Sequence, residues 1–484
     1  MNAFFREQYG LSDNGFLPSC LPLARLQDPR YAPWEAIITN LPSSLRDNTL
    51  RSQVQRLQVL SVDGLTTEPE WRRAYLILTF LTHAYIWGDD PVAEVLPPCI
   101  TLPLLAVSDH LELPPVATYA ALNLWNFSVT GGDEETSTNI PFDDLDRLKA
   151  LHTFTGTESE SWFYVVSVAM ECRAAVILPV LLNAVEAATR NDVTTVTTAL
   201  RRFVACIQDV SVLLGRMHER CDPSVFFNQI RPFLAGSKNM AAQGLPRGVF
   251  YDLGGGQGEW RQLRGGSNGQ SSLLQFFDIV LGIEHTSDGQ HSHSDSVETR
   301  STSRPAEKAE VGFHDEVRGY MPGPHRRFLE YVAALPSLRA FVLAAQEKAA
   351  SALASDEQEE MAAAFSEATK ALAALRNKHL GIVTRYIIIP SRQKQAAQAF
   401  ECTKCLHHVG NAPAPKLRGL ANSAACEDGA EMLKGTGGTE LLPFLKQTRD
   451  ETLQAGAFVK LATALPSSDS RDRNYPGVRS SQVR

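Results

Sequence analysis

Met361, Phe365, Ala368, Leu372, Leu375, His379, Ile382 and Tyr386 follow one another at spacings of 4, 3, 4, 3, 4, 3 and 4 residues. That is the repeat of one face of an α-helix, kept up for about seven turns, and it commits this stretch to a long buried helix. Ser355 with Gln358 three residues on makes a capping box at its start. Pro390 is expected to stop it.

One member of the stripe breaks the pattern. His379 stands where the period calls for Leu or Val, so its imidazole is expected to point into the core. A neutral imidazole there must either find partners for both ring nitrogens or bind a metal. Arg376 lies one turn earlier, on roughly the same face. A histidine and an arginine so arranged suit a haem, the iron taking the ring and a propionate taking the guanidinium. Gly381 costs ~1 kcal/mol in a helix interior, which a flat ligand close to the backbone would explain.

The rest of the chain is mainly helical in pattern. At 484 residues, 44% of them apolar, it is long enough for two or three domains around real cores. Trp71–Trp87 is almost continuously apolar and reads as a buried helix, and Tyr119–Phe127 as a short aromatic one. Ser161–Arg190 is helical with a kink at Pro179, and Val196–Glu219 repeats the pattern. Asp222-Pro223 signals a helix start for Pro223–Ile230, and Arg231, preceding Pro232, should end or kink it. Ser272–Leu281 is another buried helix. The expected fold is all-α: a small, mixed but mainly helical N-terminal domain over 1–150 and a large helical domain over 151–460. Residues 286–310 and 393–430 read as flexible inserts, Lys434–Thr439 as a glycine-rich loop and 461–484 as a polar tail.

Charge and composition exclude several classes. Against 54 acidic side chains stand 46 basic ones, a net charge of −8, so there is no footprint for nucleic acid. No apolar run reaches the ~18–20 residues that cross a bilayer, and the N-terminus does not read as a signal peptide. Eight scattered cysteines fit a reduced compartment, and cytoplasm is the expected location.

Other motifs are weaker. Val249–Gly258 looks like the first motif of class I methyltransferases, but such a glycine turn must open a helix, and Gly265, Gly266 and Gly269 interrupt the segment after it. Cys402 and Cys405 with His407 and His408 make half of a zinc site, without a second pair, since Cys426 stands alone. His218 sits beside its helix's stripe, and His83 in a wholly apolar segment could be ligand or core. His285, His291 and His293 read as solvated loop histidines. Arg231 after Phe226 and Phe227 is either a helix-end surface arginine or the carboxylate clamp of an aromatic pocket, to which Phe163 and Ser167 could add a ring and a hydroxyl.

Taken together, these segments resemble the indoleamine 2,3-dioxygenase family over most of residues 1–460. The motifs that carry the resemblance are Met217-His-Glu-Arg-Cys-Asp-Pro-Ser-Val-Phe-Phe-Asn-Gln-Ile-Arg231, Gly265-Gly-Ser-Asn-Gly-Gln-Ser-Ser272 and Arg318-Gly-Tyr-Met-Pro-Gly-Pro-His-Arg-Arg-Phe328. Arg376-Asn-Lys-His-Leu-Gly-Ile-Val-Thr-Arg-Tyr-Ile-Ile-Ile-Pro390 and Lys434-Gly-Thr-Gly-Gly-Thr439 complete it.

The resemblance implies an all-α enzyme with b-type haem that opens the indole ring of L-tryptophan with O₂ to give N-formylkynurenine, the first step of the kynurenine pathway. It implies His379 as the proximal iron ligand and Arg376 as the partner of a haem propionate. Arg231 then holds the substrate carboxylate and Phe226 the indole, with Phe227 beside them. Phe163 and Ser167 match the distal wall, Tyr119 opens the segment contributed by the small domain, and Gly265, Gly266 and Ser267 match the loop by the propionates. Thr436 matches the loop that closes the site. An electron donor keeping the iron ferrous and a monomeric state are further expectations. Asn268, Leu122 and Tyr164 depart from the animal pattern and bear on turnover and substrate preference. A haem sensor or low-activity paralogue of the same fold, and more remotely an S-adenosylmethionine-dependent methyltransferase, are the alternatives.

Overall fold

The computed structural model describes residues 2–131, 142–286, 313–351, 355–396, 435–436 and 441–457. The fold is all-α as expected, with a few short strands. Most of the expected inserts and tail lie outside the described residues, as do Cys402, Cys405, His407, His408, Cys426, His291 and His293.

The long helix runs Asp356–Val383 from the capping box at Ser355 and Gln358. It packs along Val193–Gly215 on one side and Leu441–Ala455 on another, burying Met361, Phe365, Leu372 and Leu375. Its stripe thus anchors one core, shared with Phe203, Phe276, Phe277 and Phe328. A second core gathers the N-terminal elements around the Glu68–Trp87 helix, whose last fifteen residues, Arg73 to Trp87, are all buried. Arg73 lies within it, paired to Glu35 at 2.6 Å, so its charge is compensated where water cannot reach it. Phe163's helix, Glu158–Ala175, starts from the cap of Thr157 on Glu160 N–H. It bends by 42° into Leu178–Thr189 where Pro179 forbids a continuous ladder.

Three expectations about local structure are corrected. The helix does not stop at Pro390: a π-helical turn at Thr384–Ile388 leads into a further helical stretch over 389–396. The wider i→i+5 turn makes room for a ring that would clash in a regular helix. Arg231 is likewise not an end. It follows a π turn at Phe226–Ile230 and opens one more turn, Arg231–Leu234, with Pro232 in its first positions. Tyr119–Phe127 is a π turn at Ala120–Leu124 running into a strand, Phe127–Val129, that pairs with Leu148–Ala150.

Val249–Gly258 forms a hairpin, Val249–Gly254 against Gln257–Arg261, rather than a nucleotide-binding turn. Gly254, Gly255 and Gly256 all have positive φ, the conformation that reverses the chain here. No helix follows the turn, which removes the basis of the methyltransferase reading. Residues 323–347 are long and apolar enough to pass for a membrane span by composition. They are two helices, Gly323–Ala333 and Leu338–Ser351, and Phe328, Leu329, Val332 and Val342 are buried in the core that the long helix anchors.

Candidate active site

The last turns of the long helix bring His379 to the wall of a deep, largely apolar cavity. The ring is half-buried because one edge faces this cavity, and neither nitrogen makes a hydrogen bond among the described residues. Burial holds its pKa down at about 4, so the imidazole is neutral and its lone pair is available. His83, the residue that sequence left open, has the opposite character. Its Nδ1 donates to Phe233 O at 2.7 Å and its Nε2 accepts from Ala117 N–H at 3.0 Å, a satisfied core histidine. His218 is exposed and stacks on Tyr386 instead of lining the cavity.

Arg376 lines the same cavity one turn before His379. Its Nη2 donates to both carboxylate oxygens of Asp278, at 2.6 and 2.7 Å, and its Nη1 donates to Thr452. Asp278 in turn sits 3.1 Å from His285 Nε2, and His285 Nδ1 is 2.6 Å from Glu451. His285 is therefore not a solvated loop histidine. Burial works against its charge, but the two carboxylates outweigh it and raise its pKa. Its ring stacks on His314 at 4.1 Å. Gly381 does not fit its expected role either: it is exposed, with open space where a Cβ would stand.

The Phe226–Ile230 and Arg231–Leu234 turns supply Phe226 and Arg231 to the cavity. Arg231 is fully buried, with its guanidinium 5.6 Å from the Phe227 ring centroid, and burial lowers its pKa to about 10. It is no surface residue. Phe227 stands behind the wall. Phe163 joins from the Glu158–Ala175 helix, its ring 4.9 Å from that of Phe226. Ser167, one turn further on, lies behind the wall beside the Tyr119 phenol.

Tyr119 also donates to Glu171 at 3.0 Å, and Ser271 donates to the same carboxyl oxygen at 2.7 Å. Burial raises the Glu171 pKa to about 7, so near neutrality this carboxyl is partly protonated. Leu122 reaches the cavity beside Gly266, where a Cβ would collide with it at 2.3 Å. Gly265 sits behind Gly266, and a Cβ there would stand 2.0 Å from Leu234 O, so only glycine lets these two backbones approach. Ser267 and Asn268 continue this wall. Thr436 closes it, with its hydroxyl donating to Gly266 O at 2.8 Å. Tyr164 turns away from the cavity and donates to Glu160 at 2.9 Å.

The structure thus collects His379, Arg376, Arg231, Phe226, Phe163 and Tyr119 at one cavity, with Gly266, Ser267 and Thr436 at its rim. Sequence reasoning missed Asp278, His285, Glu171 and Asn123. A buried helix carrying Asp278 in Ser272–Leu281 was the one available signal, since an acid on such a face needs a cation.

Comparison with known proteins agrees with this geometry. A profile of the indoleamine 2,3-dioxygenase family matches residues 5–455. The indoleamine 2,3-dioxygenase of Aspergillus nanangensis is 39% identical over 456 residues, spanning 93% of this chain and 96% of its own. That of Saccharomyces cerevisiae is 39% identical over 459 residues, 92% of each chain. A 6-hydroxytryptophan 2,3-dioxygenase of Fusarium equiseti is 36% identical over 450 residues, 93% of this chain and 97% of its own. With near-complete coverage by a family profile and by full-length relatives, this chain belongs to the indoleamine 2,3-dioxygenase family.

Proposed function

We propose that this protein is a haem-dependent dioxygenase that adds both atoms of O₂ across the indole C2–C3 bond of L-tryptophan, giving N-formylkynurenine. The observation that carries the reading is His379, a neutral imidazole without hydrogen-bond partners among the described residues, opening on an apolar cavity that also holds two arginines. Such a ring is suited to an iron ligand. Arg376 is suited to a propionate, and Gly266 and Ser267 to the carboxylate edge of the same group. When bound, the haem supplies ferrous iron at which dioxygen reacts, with an outside electron donor keeping it reduced.

The protein's own contribution is placement. Arg231, buried and charged, makes charge-assisted hydrogen bonds to the amino-acid carboxylate, which the dry surroundings strengthen. Phe226 and Phe163 hold the indole by their faces and edges. Tyr119, bonded to Glu171, keeps the small-domain segment against the cavity. Gly265 lets the loop approach Leu234, and Thr436 anchors the closing loop. Both oxygens end in the product, so no dedicated protein base is required, in keeping with a wall at Phe163 and Leu122 that carries no histidine among the described residues. The reading extends to a monomeric, cytoplasmic enzyme with residues 1–150 covering the distal side and 151–460 holding the cofactor.

The test is direct. Haem-loaded protein is reduced without oxygen, then given O₂ and L-tryptophan, while the haem bands and N-formylkynurenine are followed together. Product formed at a rate proportional to ferrous haem supports the proposal. Coloured protein that leaves tryptophan intact overturns it in favour of a haem sensor.

A further inference from the structure

His285 lies where the chain turns back at the end of the Ser272–Leu281 helix. Gly282, in the left-handed conformation, closes that helix: its N–H bonds Ile279 O at 3.0 Å, and the Ile283 N–H bonds Asp278 O at 2.9 Å. Three residues later the imidazole returns to Asp278 with one ring nitrogen, while the Leu441–Ala455 helix presents Glu451 to the other. The His285 side chain is only 9% exposed, and those of Asp278 and Glu451 are 8% and 12% exposed.

An ionised carboxylate only accepts hydrogen bonds. With Nε2 3.1 Å from Asp278 Oδ2 and Nδ1 2.6 Å from Glu451 Oε2, both ring nitrogens must carry a proton. A neutral ring would set a lone pair against an oxygen at one of the two contacts. The geometry thus makes His285 an imidazolium, and its charge with that of Arg376 balances Asp278 and Glu451. The other groups that face it leave this balance alone. His314, stacked on the ring at 4.1 Å from the Phe313–Arg318 helix, is kept neutral by burial, with a pKa of about 3. Asp315 and Arg318, on the small cavity that Asp278 and His285 share, pair with each other at 3.3 Å.

Arg376 connects this cluster to the cofactor cavity. Its Nη2 rests on Asp278 while its Nη1 reaches Thr452, on the helix that carries Glu451. The same helix lends Leu441, Phe444 and Thr448 to the cavity wall. A proton on His285 therefore does two things. It shares the charge of Asp278, so Arg376 keeps more of its own for an anion in the cavity, and it ties the last helix to the wall through Glu451. Without that proton two carboxylates face one guanidinium across a neutral ring.

We infer that His285, as an imidazolium bridging Asp278 and Glu451, is a positioning residue for the cofactor, and that the protein holds haem more tightly while this residue is protonated. The inference rests on the proposed function for the haem and for the role of Arg376 toward a propionate.

The test is the rate at which haem-loaded, ferric, full-length protein loses haem to excess apomyoglobin, followed by absorbance between pH 6 and pH 9. Release is expected to be about three- to tenfold slower at pH 6 than at pH 9, on the order of one unit charge acting across the Asp278–Arg376 pair. In His285→Gln, which cannot ionise, the profile is expected to be flat and near the parent's rate at pH 9. Glu451→Gln withdraws one carboxylate from the ring, so the midpoint of the profile is expected to move to lower pH. A residue that only filled space would change the rate by one factor at every pH and leave the midpoint where it was.

A flat profile in the unmodified protein overturns the inference without need of any variant. So does a pH dependence that survives in His285→Gln, which would assign it to another group such as Glu171, or a midpoint that Glu451→Gln does not move. Haem held with a flat profile sinks the role of His285 and leaves the cofactor reading. A protein that takes up no haem at any pH overturns both.

Discussion

Arg376 and Asp278 face each other through two hydrogen bonds of 2.6 and 2.7 Å, with both side chains largely withdrawn from water. His285 takes the other side of Asp278 at 3.1 Å, so the carboxylate lies between a guanidinium and an imidazole whose pKa is raised. Burial alone would raise its pKa; Arg376 first, then His285, outweigh that and hold it well below the ordinary range. Asp278→Ala strands a guanidinium at the cavity wall and is expected to cost about 3–5 kcal/mol of stability at pH 7. Because the folded-state pKa is depressed, the contribution is present above the unfolded value of 3.8 and fades as pH falls below it. Urea unfolding of both proteins at pH 7 and near pH 3 checks this. A gap as large at pH 3 as at pH 7 would show that the loss is one of packing.

Glu171 carries the opposite sign. Its burial raises the pKa from 4.5 to about 7, against the pull of Ser271 and Tyr119. A raised carboxyl favours the fold while protonated, and that stability is lost as pH rises through the folded value. Between pH 5 and 8 the unmodified protein should therefore lose up to roughly 3 kcal/mol from this group. Glu171→Gln keeps an acceptor for Tyr119 and Ser271 and cannot ionise. Its unfolding free energy is expected to be flatter over the same range, crossing above the unmodified protein by pH 8. Parallel pH profiles would mean that Glu171 already ionises like an exposed acid.

These two acids also mark the limit of what the sequence makes legible. The stripe ending at His379 and Tyr386 names its helix, its buried face and its odd member, because a local period is all that such a reading needs. Phe226, Arg231, Phe163 and Tyr119 are recognisable through their motifs. Their convergence depends on turns that propensity does not announce, notably the π turns at Phe226–Ile230 and Thr384–Ile388 that let Pro232 and Pro390 stand inside helical stretches. Asp278 with His285, Arg376 and Glu451 come from three separate segments, and their mutual charge compensation exists only once the chain has folded. His285 looks like a loop histidine for that reason. Asn123 looks like one more residue of an aromatic helix until the bond to Tyr164 fixes its amide.

Arg231 is the residue on which substrate affinity should turn. It is fully buried, and burial lowers its pKa only to about 10, so it remains charged at neutral pH. Removing one partner of a buried, hydrogen-bonded charge pair costs ~2–5 kcal/mol. Arg231→Ala is expected to raise KM for tryptophan by more than tenfold while the haem absorption spectrum stays that of the unmodified protein. Steady-state kinetics beside an absorption spectrum measure both. An unchanged KM would remove Arg231 from the substrate site.

His379 should separate cofactor from fold. Its ring makes no hydrogen bond among the described residues, so His379→Ala removes no polar contact on which the helix depends. The cofactor-free variant is expected to unfold within about 1 kcal/mol of the cofactor-free parent, as for a substitution away from core packing and buried networks. Added haem should then fail to give the parent's absorption bands. Haem seated in the variant with the same axial coordination would exclude His379 as the iron ligand.

Gly381 supplies a prediction of gain. It lies within Asp356–Val383, on the exposed side, and a Cβ built there meets nothing within 4 Å. Glycine in a helix interior leaves the unfolded chain freer than alanine would and gains nothing in packing here. Gly381→Ala is therefore expected to stabilise the protein by about 0.5–1 kcal/mol, seen as a higher urea midpoint at unchanged slope. Because the position faces away from the cavity, haem affinity should not move. If a flat ligand did lie against this backbone, the added methyl would weaken haem binding, and a fall in haem affinity with the fold intact would place the cofactor on a face of the helix other than the one that carries His379.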